Sequence, residues 1–194
     1  MLRIVLIRPG STDYDVEQRI QGALDLPLNE QGLAEVARMG EELAPLGIEV
    51  VYAPQAQPAE QTAGLLAERL GVRCRRVERL KSLDQGLWQG MTVQDVRQKQ
   101  PKVYRQWQEQ PESVCPPEGE MLSEADERVR GAVVRLLKRH AAGTIALVVS
   151  EPLLSLVRRF VAHRELGDLW KSGYSPQRWE VLEVDPEMIL APSG

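Results

Sequence analysis

The sequence predicts an α/β fold, namely a three-layer α/β/α sandwich with a mostly parallel central sheet. Short apolar runs that end at turn residues, such as residues 2–7 and 145–149, are typical of strands buried on both faces. Amphipathic segments of helical period separate these runs, which favours a parallel sheet covered by helices on both sides. With 194 residues, of which 43% are hydrophobic, the chain can bury a substantial core, so we expect a single domain over residues 1–194.

Four strands are predicted, and turn residues end three of them. The strand over residues 2–7 ends at Arg8-Pro9-Gly10, the strand over 49–53 ends at Pro54, and the strand over 145–149 ends at Ser150-Glu151-Pro152. Residues 179–184 alternate apolar and charged side chains and suit a final, less buried strand. Ligands of such sheets bind at the carboxyl ends of the strands, so we expect these three turns to converge at one edge.

Capping and stop residues place the helices between the strands. Asn29 caps a helix over 30–46, whose apolar face holds Leu33, Val36 and Leu43 and which Gly47 stops. The other predicted helices run from the first turn at Pro58 to Gly71, from Thr92 to before Pro101, over 123–142 with His140 on its face, and onward from Pro152. Residues 110–122 are rich in proline and are expected to form an ordered surface loop.

Composition excludes several classes of partner. Lys and Arg number 24 against 28 Asp and Glu, a net charge of −4, so we expect no nucleic-acid partner. No apolar run approaches the length of a membrane span, and no targeting signal is visible, so no membrane partner is expected. The two cysteines, Cys74 and Cys115, are interpreted as free thiols of a cytoplasmic protein. A monomer or a homodimer is expected.

Six segments in the right order carry a family resemblance. They are residues 6–12 (Leu-Ile-Arg-Pro-Gly-Ser-Thr), 19–32, 51–63, 84–90 (Asp-Gln-Gly-Leu-Trp-Gln-Gly), 117–128 and 148–151 (Val-Val-Ser-Glu). Together they resemble the signatures of the histidine phosphatase superfamily, the phosphoglycerate mutase-like proteins. The resemblance runs from residue 2 to about residue 184 and implies the three-layer sandwich.

The resemblance also implies a catalytic set, most of which is replaced in this chain. In the family, a histidine takes up the phosphoryl group, two arginines and a second histidine bind its oxygens, and a Glu or Asp protonates the leaving group. The first arginine is kept as Arg8. The nucleophile position falls on Pro9, the second arginine on Pro58, the acid on Ser82 and the second histidine on Glu151.

Each replacement removes a chemical function. Proline offers no nucleophilic atom at residue 9 and no guanidinium at residue 58. Ser82 has no carboxylic proton to give. The charge of Glu151 would repel a phosphate by about 4 kcal/mol at a separation of about 4 Å and an effective dielectric near 20. The sequence therefore predicts no catalytic residues, and a former phosphate pocket formed by Arg8, Gly10 and Glu151.

From these losses we expect a catalytically inactive pseudophosphatase that binds an unknown protein or small-molecule partner. One alternative is an active phosphomonoesterase or phosphoglycerate mutase-like enzyme with relocated catalytic groups. Another is a binder of an uncharged or cationic small molecule in the former phosphate cleft, since the negative charge of Glu151 favours such a ligand over an anion. Arg8 and Glu151 either form a salt bridge across the strand ends or both face water.

No metal and no cofactor are expected. The carboxylates Asp13, Asp15, Asp84 and Glu151 lack the spacing of a metal site and are interpreted as solvated. The two histidines, His140 and His163, are interpreted as structural or surface residues.

Aromatic residues cluster late in the chain: Trp88, Tyr104, Trp107, Trp170 and Tyr174. Trp88 is interpreted as packing. Tyr104 and Trp107 share a helix face, and we favour a place in the core over a surface for a protein partner.

Overall fold

The computed structural model describes residues 1–172 and 176–190 and confirms the mostly parallel sheet. Within those residues the sheet has five strands: β1 (Leu2–Ile7), β2 (Val50–Ala53), β3 (Arg73–Arg76), β4 (Gly143–Val148) and β5 (Trp179–Val184). Their order across the sheet is β3-β2-β4-β1-β5. β1, β2, β3 and β4 run parallel to one another, whereas β5 runs antiparallel to β1 at the edge.

Helices cover both faces of this sheet and complete the α/β/α sandwich. Their bounds in the described residues are α1 (Asp13–Val16), α2 (Glu30–Leu43), α3 (Ala59–Leu70), α4 (Val93–Lys99), α5 (Pro101–Glu109), α6 (Leu122–Arg139), α7 (Leu153–Ala162), α8 (Leu169–Ser172) and α9 (Pro186–Leu190). None of the helices in the described ranges has the length and apolarity that crossing a membrane requires.

Two apolar cores lie on opposite faces of the sheet because successive side chains of a strand point to opposite sides. Leu2, Ile4 and Leu6 of β1 join the larger core with α6 and α7. Val5 and Ile7 join the smaller core with α2 and α3. The apolar runs over residues 4–7 and 145–148 are thereby explained, since both faces of β1 and β4 are buried there.

The capping signals at α2 and α3 are confirmed. The Asn29 side chain accepts a hydrogen bond from the Gly32 N–H at 2.8 Å, and Gly47 and Gly71 take left-handed conformations at the ends. The predicted apolar face of α2 is wrong at Leu33, which is 42% exposed, because the buried face of the helix runs through Val36, Met39 and Leu43.

Helix α6 begins and ends earlier than predicted. It starts at Leu122, with the Glu124 carboxylate accepting from the Met121 N–H at 3.1 Å, and it ends at Arg139. His140 therefore lies at the helix end rather than on its apolar face, and its Nε2 lies 2.9 Å from the Tyr52 hydroxyl oxygen. This contact makes His140 structural, one of the two roles expected for it.

Strand β3 was not predicted from sequence, and of helix α5 only the stretch with Tyr104 and Trp107 was expected to be helical. All residues of β3 are exposed and three are arginines, so no apolar pattern marks it. Such charges on an edge strand oppose pairing with another chain. Pro101 ends α4 as predicted, but it is also the first residue of α5, where a missing N–H costs nothing.

Candidate active site

A cavity of about 130 Å³ lies at the carboxyl edge of the sheet. The turns after β1 and β4 line it with Arg8, Pro9, Gly10 and with Ser150, Glu151, Pro152, as predicted. The turn after β2 contributes Pro58 rather than Ala53 or Pro54. The charged side chains among the described lining residues are three arginines and two carboxylates, so the cavity carries an excess of positive charge: Arg8, Arg19, Arg178, Asp15 and Glu151.

Arg8 sits at the end of β1 and is 7% exposed. Burial lowers the pKa of its guanidinium, and the charge of Arg178 lowers this pKa further, while Glu151, Asp15 and Glu35 act in the opposite direction. The guanidinium groups of Arg8 and Arg178 are therefore close enough to repel each other. A bound anion would relieve that repulsion.

Arg178 immediately precedes β5 and was not among the candidate residues from sequence. Its Nη1 donates to the Pro9 carbonyl oxygen at 3.2 Å, and its Nη2 donates to Ser11 Oγ at 2.5 Å and to Glu35 Oε1 at 2.8 Å. Because β5 is antiparallel to β1, the start of β5 lies beside the end of β1. The signal in the sequence is the final strand over residues 179–184. An antiparallel pairing of this strand with β1 would have placed Arg178 at the site.

Glu35 of α2 links Arg178 to the first motif. Its carboxylate accepts from the Ser11 N–H at 2.9 Å, from Ser11 Oγ at 2.9 and 3.0 Å, and from Gln31 Nε2 at 3.0 Å. Burial raises the pKa of Glu35, but the hydrogen bonds from Gln31 and Ser11 and the charge of Arg178 outweigh it and hold this pKa below its ordinary value. Glu35 is thus kept ionised beside Arg178.

Gly10, one of the three residues expected in the pocket, lines the cavity and is set there by packing. Its N–H donates to Thr62 Oγ1 at 3.0 Å, which ties the turn after β1 to α3. A Cβ at this position would lie 2.7 Å from the Gly32 carbonyl oxygen of α2. Only a glycine lets the turn approach α2 this closely.

Glu151 is 9% exposed in its side chain and caps helix α7. Its Oε2 accepts from the Ser155 N–H at 3.1 Å and from Ser155 Oγ at 2.8 Å, while its Oε1 lies 3.7 Å from Arg158 Nη1. Glu151 also raises the pKa of Arg8 by its charge. Of the two alternatives for this pair, the one in which both residues simply face water is wrong, because Arg8 is buried and the Glu151 side chain is largely covered.

Ser82 lies outside the cavity, whereas Asp15 lines it. Ser82 lies in a neighbouring depression with Asp84, Gly119 and Glu120, and its carbonyl oxygen accepts from Arg128 Nη2 at 3.4 Å. Asp15 is exposed, as its interpretation as a solvated residue requires, and it also lines the cavity. Its Oδ2 accepts from the Thr12 N–H at 2.7 Å and from Thr12 Oγ1 at 3.0 Å. Within the residues the structure describes, no cluster of three or more His, Cys, Asp or Glu has the arrangement of a metal site.

The aromatic residues form a packed cluster beneath the cavity. Trp107 and Trp170 line its floor, and Trp88 meets Trp107 edge to face with centroids 5.7 Å apart. Tyr104 stacks on Trp170 at 5.2 Å. The core interpretation of these residues is confirmed, while Tyr174 lies outside the described residues. Neither of the chain's histidines lines the cavity.

Fold and cavity define an α/β protein with an arginine-rich site at the carboxyl edge of its sheet. The chain belongs to the histidine phosphatase superfamily (branch 1), whose family model matches residues 4–190.

Two relatives and one solved structure show the range of this similarity. The chain is 26% identical over 185 residues to phosphoserine phosphatase 1 of Hydrogenobacter thermophilus, covering 95% of this chain and 88% of that protein. It is 30% identical over 150 residues to a Klebsiella pneumoniae protein named "Probable phosphoglycerate mutase GpmB", covering 77% of this chain and 69% of that protein. A mycobacterial glucosyl-3-phosphoglycerate phosphatase in complex with VO3 is 26% identical with a TM-score of 0.82, covering 93% of this chain and 90% of that one.

These relatives overturn the prediction of a catalytically inactive protein that acts only by binding. They are named as phosphatases and a mutase, and so point to an enzyme. The pocket expected from sequence held a single cation, Arg8, against the charge of Glu151. The structure adds Arg178 and Arg19 to the cavity and places Arg158 beside the Glu151 carboxylate. The same excess of arginine disfavours a cationic ligand.

Proposed function

We propose that the chain is a phosphomonoesterase that lacks the family histidines at positions 9 and 151 and uses relocated catalytic groups. The buried Arg8, which shares a positively charged cavity with Arg178, is the observation that carries this proposal. Membership of the histidine phosphatase superfamily and the phosphatase names of its relatives support it. The phosphoryl group of the substrate binds against these arginines, since guanidinium groups match phosphate oxygens in charge and geometry.

Pro9 cannot carry a phosphoryl group, so the proposed reaction is a direct hydrolysis. The oxygen of a water molecule attacks phosphorus, and the ester bond between phosphorus and the leaving oxygen breaks. A carboxylate accepts the proton of the water, and the leaving oxygen takes a proton from solvent. The products are an alcohol and inorganic phosphate.

We assign the proton acceptor to Asp15 rather than to Glu151. The Glu151 carboxylate uses one oxygen to cap α7, and its other oxygen lies nearest Arg158. The hydrogen bonds of Asp15 use Oδ2, and from the described residues its Oδ1 accepts none. Positioned carboxylates of this kind contribute about a hundredfold or more to proton transfer.

Hydrolysis of p-nitrophenyl phosphate by the purified full chain tests the proposal. We expect turnover that falls at least tenfold in Arg8→Gln and about a hundredfold in Asp15→Asn. Asp13→Asn, on the same helix as Asp15, should keep the wild-type rate. Circular dichroism and melting temperature establish that each variant is folded, and Arg8→Lys replaces Arg8→Gln if the latter is not.

Two results would overturn the proposal. Equal rates for the wild-type protein and a folded Arg8 variant would assign any hydrolysis to a contaminant. Acid-labile label on a histidine, taken from a phosphorylated substrate, would show that a phosphohistidine route survives without a histidine at position 9.

We further propose that residues 1–194 act as one domain in the cytoplasm, as composition predicts, with a small phosphate ester rather than nucleic acid or a membrane as partner. Both cysteines are free and exposed, which supports a reducing compartment. That the protein needs no cofactor, and that it is a monomer or a homodimer, stay predictions from the sequence.

A further inference from the structure

The resemblance assigns a second phosphate-binding arginine to position 58, where this chain has Pro58. Pro58 lines the cavity, so the position is in place but its cation is missing. Two other arginines line the same cavity, Arg19 and Arg178, and their surroundings differ.

Arg19 is engaged at the protein surface. Its side chain is 41% exposed, and its Nε lies 2.5 Å from Glu17 Oε2. Its Nη1 donates to the Gly90 carbonyl oxygen at 2.7 Å, which joins the segment after α1 to the loop before α4. An exposed ion pair of this kind contributes little to a ligand site because solvent screens it.

Arg178 is held inside the protein. Its side chain is 14% exposed, and its hydrogen bonds to Pro9, Ser11 and Glu35 use some of its N–H groups and leave others for a ligand. Its backbone carbonyl oxygen accepts from the Arg8 N–H at 2.8 Å, which fixes the two arginines side by side. Two fixed guanidinium groups in one cavity are the arrangement that binds the oxygens of a phosphoryl group.

We propose that Arg178 supplies the second guanidinium of the anion site, in the role that the resemblance assigns to position 58, and that Glu35 is its positioning residue. The identity of the anion as a phosphoryl group rests on the proposed function. Glu35 receives donors from the first motif, from its own helix and from Arg178, so the carboxylate holds the guanidinium at the mouth of the turn after β1.

Binding of orthovanadate and inorganic phosphate, followed by calorimetry, tests the assignment of Arg178. We expect Arg178→Gln to weaken binding at least tenfold, Arg178→Lys to weaken it less, and guanidinium ion at millimolar concentration to restore part of the affinity of Arg178→Ala. A merely structural Arg178 would give no such rescue. In p-nitrophenyl phosphate hydrolysis, Arg178→Gln should raise KM at least tenfold.

The same measurements test Glu35 against a matched pair on the same helix. Glu41 of α2 pairs with Arg69 at 2.9 Å, away from the cavity, as Glu35 pairs with Arg178 at 2.8 Å. Glu35→Gln should weaken vanadate binding about threefold to tenfold, and Glu35→Asp should restore part of it. Glu41→Gln should leave it unchanged. Equal vanadate affinity in Glu35→Gln and wild type would overturn the positioning role.

The failures of the two proposals are distinguishable. If folded Arg178→Gln binds vanadate as tightly as wild type while Arg8→Gln does not, the anion site stands and Arg178 is not part of it. If the wild-type protein neither binds vanadate or phosphate nor hydrolyses p-nitrophenyl phosphate, the proposed function fails, and the role of Arg178 fails with it.

Discussion

The backbone N–H of Arg8 donates to the carbonyl oxygen of Arg178 at 2.8 Å. This hydrogen bond extends the antiparallel pairing of β1 and β5 beyond their last paired residues, Ile7 and Trp179. The end of the first strand and the start of the last one are therefore built as one unit, and each contributes an arginine to the cavity.

Helix α2 fixes the position of this unit through close backbone contact at Gly32. A Cβ on Gly32 would lie 2.1 Å from the Ser11 carbonyl oxygen and 2.8 Å from the Ser11 nitrogen, neither of which can move without moving the turn. We expect Gly32→Ala to lower the free energy of unfolding by about 2 kcal/mol or more and to weaken vanadate binding. Urea denaturation and calorimetry measure the two effects.

Gly64 of α3 is the control for this substitution. A Cβ there meets nothing within 4 Å. Gly64→Ala should therefore raise the free energy of unfolding by up to about 1 kcal/mol, the gain in helix propensity, and leave vanadate affinity unchanged. Equal stability in Gly32→Ala and Gly64→Ala would show that the turn adapts to α2 freely.

Most of the fold could be predicted from sequence because apolar period and capping residues act locally. The apolar runs of β1 and β4, the cap at Asn29 and the stop at Gly71 each depend on a few neighbouring residues. Strand β3 could not be predicted, because it is held by pairing with β2 and carries no apolar side to reveal it.

The site was predictable only where it follows strand ends. Arg8, Gly10 and Glu151 follow β1 and β4 directly, so parallel topology alone brings them together. Arg178 and Glu35 depend on the antiparallel direction of β5 and on contacts between distant segments. The pairing of Glu151 with Arg158 likewise depends on how the two side chains pack. Without that pair, the sequence could not give the balance of charges around the cavity.

Arg128 of α6 anchors the loops around the depression that holds Ser82. It donates to Glu120 Oε1 at 2.6 Å and to the carbonyl oxygens of Arg79 and Lys81 at 2.7 and 2.8 Å. Arg128→Ala leaves these acceptors and the carboxylate without their cation, so we expect a loss of about 3 kcal/mol in the free energy of unfolding. Urea denaturation measures it.

Arg135 is the control for Arg128, since it is an exposed arginine on the same helix. Arg135→Ala should change the free energy of unfolding by no more than about 0.5 kcal/mol. Similar losses in both variants would mean that the effect reflects helix propensity or net charge rather than the loop anchor.

The titration of His140 makes the free energy of unfolding depend on pH. Burial lowers its pKa below the ordinary 6.5, and the charges of Arg139 and Arg75 also lower it, against the opposing effect of Glu49. The folded protein therefore favours the neutral ring of His140. The resulting contribution to the free energy of unfolding is fully present above pH 6.5 and is lost as the pH falls through the lowered pKa of the folded state. In His140→Gln, the free energy of unfolding should fall less between about pH 7.5 and pH 5 than it does in the wild type.

His163 tests whether this effect belongs to His140. It is exposed at the end of α7 with a φ of 52°, a conformation that asparagine tolerates. His163→Asn should keep the wild-type dependence on pH. A dependence that stays unchanged in His140→Gln would assign the titration to other groups.

Glu151 has opposite effects on stability and on anion binding, because its carboxylate caps α7 while its charge lies in the cavity. Glu151→Gln replaces a charged acceptor for the Ser155 N–H and Oγ by a neutral one and removes the more distant of the two carboxylates beside Arg158, which also pairs with Glu180. We expect the free energy of unfolding to fall by about 1 kcal/mol. Removing the negative charge from beside the two arginines should strengthen vanadate binding by about tenfold.

Calorimetry and urea denaturation of Glu151→Gln, with Glu183→Gln on the exposed side of β5 as control, measure both effects. The control removes the same charge from the chain but not from the cavity, so its vanadate affinity and stability should match those of the wild type. Weaker vanadate binding in a folded Glu151→Gln would show that the cap, through the position of the turn after β4, matters more to the anion than the repulsion does. Unchanged binding in that variant would place the anion away from Glu151, nearer to the start of β5 and Arg178.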